Sequence, residues 1–190
     1  MSFKFTLRSR NKMKSRFIVV LSLCFVLWGC STSVQEYKEN TPSFNLFEYF
    51  EGDVLAWGMV QDFNGKLTRR FDVKIRGVVK GDLLTLKEDF IYDDGEKQQR
   101  IWEITRNKDG TYTGEADDVV GQATGVVAGN ALNWQYSLRL PVNGSAYNIA
   151  FDDWMYRQDK THVFNIAEMR KWGFGVGRVT LFFEKQDVVE

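Results

Sequence analysis

The feature that most constrains the fold is an alternation of apolar and polar residues with a period of two, which recurs through most of the chain. Successive side chains of a β-strand point to opposite faces, so this period predicts strands with one buried face. A helical period of 3.6 residues is nearly absent, and the chain is therefore expected to be all-β. Clear examples of the alternation are residues 71–76, 84–92, 134–140 and 147–151.

Turn dipeptides separate these segments. Asparagine or aspartate followed by glycine supplies the positive φ angles that tight β-hairpins need. The four clearest dipeptides are Asn64-Gly65, Asp94-Gly95, Asp109-Gly110 and Asn143-Gly144. Short turns join neighbouring strands in antiparallel pairs, which predicts an up-and-down order of nine or ten strands. The expected strands lie near residues 53–63, 66–79, 83–92, 96–106, 111–119, 122–128, 130–141, 145–156, 161–167 and 175–185.

Long antiparallel strands with almost no helix must either close into a barrel or stack as two sheets. The turns fall about 13 to 17 residues apart, which exceeds the spacing of about 8–12 residues in small sandwiches. This favours a single antiparallel up-and-down barrel of about 8–10 strands with a lipocalin-like architecture, and a β-sandwich is the alternative. Residues 44–50 fit a short helix or a first strand, and residues 166–172 fit one or two helical turns.

The N-terminal segment has the organisation of a bacterial lipoprotein signal. Residues 1–29 carry six basic side chains and no acidic one, and residues 17–28 form an apolar run. That run of 12 residues is too short to span a bilayer, which needs about 20 residues of helix. Cys30 directly follows Gly29, which resembles the lipobox in which the cysteine thiol is lipidated, although Trp28 departs from the usual small or β-branched residue. We therefore predict a signal peptide at 1–29, a lipid-anchored flexible tether at 30–43 and a β-barrel domain at 44–190.

The charge balance and the cysteine at position 30 restrict the expected partners and the expected location of the protein. The signal contains six of the 25 basic residues, so the rest of the chain has 19 basic and 25 acidic side chains. This negative balance argues against nucleic acid as a partner and against an electrostatic attachment to anionic lipid. Membrane attachment is therefore expected through acyl chains on Cys30. Ser31 stands where an aspartate commonly retains lipoproteins in the inner membrane, so the expected location is the periplasmic face of the outer membrane.

The most informative pair of charged residues is Glu88 and Arg100. Glu88 lies in phase with the apolar positions Leu86 and Phe90, and is expected to point inward. A hairpin closed at residues 93–95 places Glu88 opposite Arg100 on the next strand. The pair either anchors the polar head of a ligand or forms a structural ion pair.

The remaining polar residues do not form a catalytic motif. Asp152 and Asp153 are adjacent in a strand and point to opposite faces, so without a bulge they cannot flank one substrate. One of them is expected inside and hydrogen-bonded, and the same objection applies to Asp117-Asp118. His162 is the only histidine, the folded part has no cysteine, and no Gly-x-Ser-x-Gly sequence occurs. We therefore predict no catalytic residue, no cofactor and no metal site.

A set of short motifs resembles the bacterial lipoproteins grouped as domain-of-unknown-function family 3833, and the likeness extends from Phe44 to Lys185. The family has no established activity, and the resemblance implies a role linked to lipid metabolism through neighbouring genes for enzymes similar to cyclopropane-fatty-acid synthases. The motifs are Phe50-Glu51-Gly52, Arg70-Phe71, Leu86-Lys87-Glu88-Asp89-Phe90, Asp94-Gly95-Glu96, Arg100-Ile101-Trp102, Gly129-Asn130-Ala131 and Asp152-Asp153-Trp154-Met155.

Together these observations predict an outer-membrane lipoprotein whose barrel binds an apolar, lipid-like or fatty-acid-like ligand and is not an enzyme. The alternatives are an assembly module with a solid core and a hydrolase that uses Asp152, Asp153 or Glu88. A cavity inside the barrel would favour the binding protein over the assembly module, and carboxylates that face one cleft would favour the hydrolase. The candidate ligand contacts are Glu88, Arg100, Trp102, Trp134, Tyr136 and Asp153.

Overall fold

The computed structural model of the protein describes residues 32–142 and 144–186. The signal peptide at 1–29 and the lipidation site Cys30 lie outside the described residues and stay predictions. The described chain contains a 3₁₀ helix at Val34–Tyr37 and an α-helix, α1, at Leu46–Phe50. The strands are β1 (Gly52–Asp62), β2 (Leu67–Lys80), β3 (Leu83–Tyr92), β4 (Lys97–Arg106), β5 (Tyr112–Glu115), β6 (Ala123–Ala128), β7 (Ala131–Val142), β8 (Ser145–Arg157), β9 (His162–Lys171) and β10 (Phe174–Lys185).

The ten strands form one closed antiparallel barrel. Each strand pairs with the next along the chain, and β10 pairs with β1 to complete the closure. The predicted all-β up-and-down barrel is therefore confirmed, and the β-sandwich alternative is wrong. The helical turns considered for residues 166–172 are also wrong, because most of this segment belongs to β9. There the buried Ala167 alternates with the exposed Ile166, which is a period of two.

Helix α1 closes one end of the barrel. Asn45 caps its N-terminus by accepting a hydrogen bond from the Glu48 backbone N–H at 3.3 Å. Four of the five helical residues are buried, because the helix lies across the barrel end with apolar side chains below it. The Phe50 ring packs edge-on against Phe183 of β10, with 5.6 Å between ring centroids. Within segment 44–50, residues 46–50 thus form a helix and not a first strand.

Polar contacts hold α1 in this position. The Lys185 ammonium donates hydrogen bonds to three backbone carbonyls at the end of the helix, those of Glu48, Tyr49 and Glu51, at 2.6, 3.0 and 2.8 Å. The Tyr49 hydroxyl donates to the Thr161 carbonyl at 2.8 Å in the turn between β8 and β9. The bonds from Lys185 satisfy carbonyls that a helix leaves unpaired at its C-terminus, and the Tyr49 bond ties the helix to the turn.

The chain enters the barrel at this closed end. The Phe44 backbone N–H donates to the Gly129 carbonyl at 2.7 Å, in the turn between β6 and β7. The Tyr37 ring lies against Trp154 and Tyr156 on the outer wall, with centroid distances of 5.9 and 5.4 Å. Part of the segment predicted as a tether therefore packs against the barrel. Within the described residues, no helix is long and apolar enough to cross a membrane.

Candidate functional site

The barrel encloses a cavity of about 760 Å³. It extends from α1, where Leu46 and Phe50 contribute to its floor, to the opposite end of the barrel, where Arg139 and Pro141 contribute to its rim. All six residues predicted as ligand contacts line this cavity, and their binding of a ligand stays a prediction. An interior space of this size argues against the alternative of an assembly module with a solid core.

The predicted register between Glu88 and Arg100 is confirmed, because the two residues are direct partners across β3 and β4. The Arg100 Nη1 atom lies 3.8 Å from Glu88 Oε2, which is a long ion pair. Each of the two side chains keeps 15% of its surface accessible. Since both line the cavity, a molecule inside it would meet both charged groups.

The closer partner of Arg100 is Asp118, which the sequence analysis did not select. The Arg100 Nε atom lies 3.0 Å from both carboxylate oxygens of Asp118, and Nη2 lies 2.7 Å from Oδ2. This multidentate geometry is the strong form of an arginine–carboxylate contact. Burial alone would lower the pKa of Arg100, but the nearby carboxylates of Glu88 and Asp118 raise it above its ordinary value.

Asp118 reaches the interior because the segment between β5 and β6 closes a gap in the wall. β5 is only four residues long and leaves the first half of β4 without a strand on the side opposite β3. Residues 116–122 lie there, and the Val120 N–H donates to the Ser137 carbonyl at 2.8 Å while the Arg139 N–H donates to the Asp118 carbonyl at 3.0 Å. The strand period that excluded Asp117-Asp118 as a pair does not apply to this irregular segment. No local sequence pattern therefore placed Asp118 beside Arg100.

The third carboxylate of the interior is Asp153, which is buried in β8. One of its oxygens accepts a hydrogen bond from the side-chain amide of Asn165, and the other accepts from the Tyr136 hydroxyl at 3.4 Å. Asp152 points to the other face, where it accepts from the Asn133 amide at 2.7 Å. The predicted division between an inward and an outward aspartate is therefore confirmed. Asn165, which is 1% exposed, was missed by the sequence analysis.

Burial changes the acidity of two of these carboxyl groups. It raises the pKa of Glu88 to about 7, because the loss of hydration and the charges of Asp118 and Asp153 outweigh the opposing effect of Arg100. Burial also raises the pKa of Asp153 to about 6, against the opposing effect of the hydrogen bonds from Asn165 and Tyr136. Both groups can therefore exchange a proton near neutral pH.

Aromatic rings surround the polar group. Trp102 contacts Trp134 and Tyr136 edge-on, with centroid distances of 5.8 and 5.5 Å. Tyr136 stacks on Phe151 at 5.0 Å with nearly parallel planes. The Trp134 ring has room because it lies over Gly125, where a β-carbon would come within 2.3 Å of the ring. The interior thus combines aromatic faces with buried carboxylates.

The rim at the open end carries two arginines with different environments. Arg69 is held by Asp94 and Glu96, at 3.0 and 2.5 Å, and its guanidinium carbon lies 3.4 Å from the centroid of the Tyr92 ring. Arg139 is exposed and lines the cavity. In the described part of the chain, no three His, Cys, Asp or Glu side chains are grouped so as to hold a metal ion.

A second, shallower groove of about 600 Å³ lies on the outer wall and includes Trp57, Phe164 and Phe182. Phe182 packs against both other rings, at centroid distances of 6.2 and 5.1 Å. The carboxylates and the arginine of the interior do not reach it. The chemically distinctive site is therefore the inner cavity.

Comparison with known proteins adds family membership. The family model described as "Protein of unknown function (DUF3833)" matches residues 24–185. Among curated proteins, none matches the chain. A solved structure to which the chain is similar is the S-type phycobiliprotein lyase CPES from Guillardia theta, with 12% sequence identity and a TM-score of 0.48. That similarity covers 76% of this chain and 92% of the lyase chain.

Proposed function

The chain belongs to the DUF3833 family of proteins of unknown function, and from its interior we propose that it binds one apolar or lipid-like ligand without catalysing a reaction. The observation that carries the proposal is the cavity of about 760 Å³ inside the closed barrel. Ligand pockets span about 300–1,000 Å³ and combine apolar walls with a few polar groups that orient the ligand. The cavity has that size and that composition.

We also propose that the protein is a lipoprotein anchored by Cys30 at the periplasmic face of the outer membrane. The basic segment, the short apolar run and the Gly29-Cys30 pair support this location. The entry of the chain at the closed end is compatible with it, because the packed residues Tyr37 and Phe44 leave the opposite rim free.

The first test is the binding of fluorescent acyl-chain probes, with a neutral or a carboxylate head group, to protein that starts at Ser31. Trp102 and Trp134 line the cavity, so an occupied site should change the tryptophan emission. We expect saturable binding of one probe per barrel. Absence of saturable binding by folded protein, across probes of different chain length, would contradict the proposal.

A matched pair of variants locates the site. Ala167→Phe places a ring in the cavity, because Ala167 is buried and lines it. Ala150→Phe places the same ring on the exposed face of β8. We expect the first variant to lose probe binding by at least about tenfold and the second to retain it. Thermal denaturation of both variants would confirm that they fold.

A second candidate function is hydrolysis that depends on carboxyl groups. The observation that favours it is the pair Glu88 and Asp153, which line one cavity and have pKa values of about 7 and 6. Groups that titrate near neutral pH suit general acid–base catalysis. Turnover of a fluorogenic acyl ester that disappears in both Glu88→Gln and Asp153→Asn, while the ester still binds, would establish the hydrolase.

A further inference from the structure

We propose that the cavity selects amphiphiles with a cationic head group over amphiphiles that end in a carboxylate. The inference rests on the proposed function, since it names the class of ligand that the same cavity takes. It also departs from the expectation of a fatty acid, which would need a free cationic group inside the barrel.

Arg100 is the cation that a fatty-acid carboxylate would have to use at mid-height in the barrel, and it is already engaged. Asp118 occupies its Nε and Nη2 atoms at 2.7–3.0 Å, and Glu88 lies 3.8 Å from Nη1. A new carboxylate would have to displace Asp118 from a multidentate contact. It would also approach Glu88 and Asp153, which carry the same sign of charge when ionised.

The balance of charge inside the barrel therefore favours a cation. At mid-height, three carboxyl groups, those of Glu88, Asp118 and Asp153, face the cavity around the guanidinium of Arg100. The other charged residues of the lining, Arg69, Glu96 and Arg139, lie at the rim, where Arg69 pairs with Glu96. Asp118 neutralises Arg100, so Glu88 and Asp153, in their ionised forms, remain to attract a positive charge. The charge of Asp153 raises the pKa of Glu88, so the two carboxylates repel each other when both are ionised. A cation between them would relieve this repulsion.

The rings around these carboxyl groups suit the same kind of head group. Trp102, Tyr136 and Phe151 form a connected set of aromatic contacts in the cavity wall. The negative face of an aromatic ring attracts a cation, and sites for quaternary ammonium groups combine several rings. Carboxylates beside such rings add a direct electrostatic attraction.

The position of the polar group indicates where the head lies. Glu88 is flanked along β3 by the inward-facing Leu86 on the side of α1 and by Phe90 on the side of the rim. The head group of a bound ligand would thus lie inside the barrel, with apolar wall on both sides for its chain. The competing arrangement places a carboxylate at the rim beside the exposed Arg139.

The experiment compares three ligands with the same dodecyl chain: dodecyltrimethylammonium, dodecanol and dodecanoate. Each is titrated into the protein that starts at Ser31, below the concentration at which it forms micelles, by displacement of a neutral fluorescent probe. We expect the ammonium compound to bind at least about tenfold more tightly than dodecanoate, with dodecanol between them.

Variants assign the selectivity to the interior. Glu88→Gln should weaken binding of the ammonium compound by about tenfold and change the affinity for dodecanol by less than about twofold. Glu103→Gln makes the same chemical change on the exposed face of β4 and should alter neither affinity. Asp118→Asn frees Arg100 and should raise the affinity for dodecanoate. Circular dichroism of each variant would confirm that its β-structure content is unchanged.

The outcomes separate this inference from the proposed function. Tight binding of dodecanoate, equal to or stronger than that of the ammonium compound, would overturn the inference and leave a lipid-binding barrel. Loss of that dodecanoate binding in Arg139→Gln would place the carboxylate at the rim. Binding of none of the three ligands to folded protein would overturn both the inference and the proposed function.

Discussion

At the scale of single residues, the interior of the barrel depends on how one guanidinium divides its contacts between two carboxylates. Arg100 lies 2.7 Å from Asp118 and 3.8 Å from Glu88. Removal of one partner from a buried ion pair leaves the other charge without compensation. The unequal distances imply that the ion pair of Arg100 with Asp118 is stronger than its ion pair with Glu88.

We therefore predict that Arg100→Met lowers the free energy of unfolding by about 3–5 kcal/mol. In double-mutant cycles, the coupling energy between Arg100 and Asp118 should exceed that between Arg100 and Glu88. Urea denaturation of the single and double variants measures both couplings. Equal couplings would contradict the assignment of Asp118 as the main partner.

The raised pKa values of Glu88 and Asp153 predict how stability changes with pH. Their pKa values, about 7 and 6, lie above the ordinary values of 4.5 and 3.8. The native state therefore binds more protons than the unfolded state between about pH 4 and pH 7, so stability falls as the pH rises through this window. Urea denaturation between pH 5 and pH 8 should give a shallower fall for Glu88→Gln than for the native protein. The exposed substitution Glu103→Gln should leave the slope unchanged, and a slope unaffected by Glu88→Gln would contradict the raised pKa.

The site residues that could be predicted from the sequence are those that lie in regular strands. The position of Glu88 opposite Arg100 followed from a period of two and one hairpin turn, and the inward position of Asp153 followed from the same period. Asp118 could not be placed, because it lies in an irregular segment whose path depends on the short strand β5. Its contact with Arg100 is a consequence of barrel closure, which no local pattern encodes.

At the scale of secondary-structure elements, the closed end depends on how near α1 lies to β2. Gly77 in β2 faces the end of the helix, and a β-carbon at this position would come within 1.7 Å of the Phe50 carbonyl oxygen. The contact is with backbone, which cannot rotate away as a side chain would. Any larger residue at position 77 must displace the helix or bend the strand.

We predict that Gly77→Ala destabilises the protein by about 1–3 kcal/mol, as overpacking of a well-packed core does. Gly175→Ala is the matched control, because Gly175 also lies in a strand and a β-carbon there meets nothing within 4 Å. Thermal denaturation of the two variants gives the comparison. Equal stability of both would mean that α1 is not packed against β2 in solution.

For two segments the sequence did not decide between helix and strand, and the reason differs between them. Residues 44–50 are apolar at five of seven positions, and the segment is too short for its period to distinguish a helix from a strand. The closure of the barrel end decides for the helix at 46–50. Residues 166–172 contain Ala167, Glu168 and Met169, which favour helices in isolation. Pairing with β8 and β10 overrides this local preference.

At the scale of the whole molecule, the entry of the chain and the open rim lie at opposite ends of the barrel. Tyr37 and Phe44 pack at the end that α1 closes, whereas Arg139 lies at the open rim. Six residues lie between Cys30 and Tyr37, so the two are at most about 25 Å apart. If Cys30 carries a lipid, we predict from this reach that the closed end lies nearer to the bilayer than the rim.

This arrangement first requires lipidation itself. Replacement of Cys30 by alanine should abolish incorporation of radiolabelled palmitate and leave a protein that retains its signal peptide, because the thiol is the predicted acceptor. Whole-cell labelling followed by gel electrophoresis measures both effects. Palmitate incorporation that persists in the variant would rule out Cys30 as the lipidation site.

The orientation is tested with one fluorophore at each end of the barrel. The mature chain after Cys30 contains no cysteine, so Phe63→Cys in the turn at the rim and Lys160→Cys in a turn at the closed end each provide a single labelling site. Both positions are exposed, which matches the two variants in accessibility. In lipidated protein reconstituted into vesicles, a quencher carried by the lipid should reduce the emission of the label at position 160 more than that at position 63. Stronger quenching at position 63 would place the rim against the bilayer, and the ligand would then exchange directly with the membrane that anchors the protein.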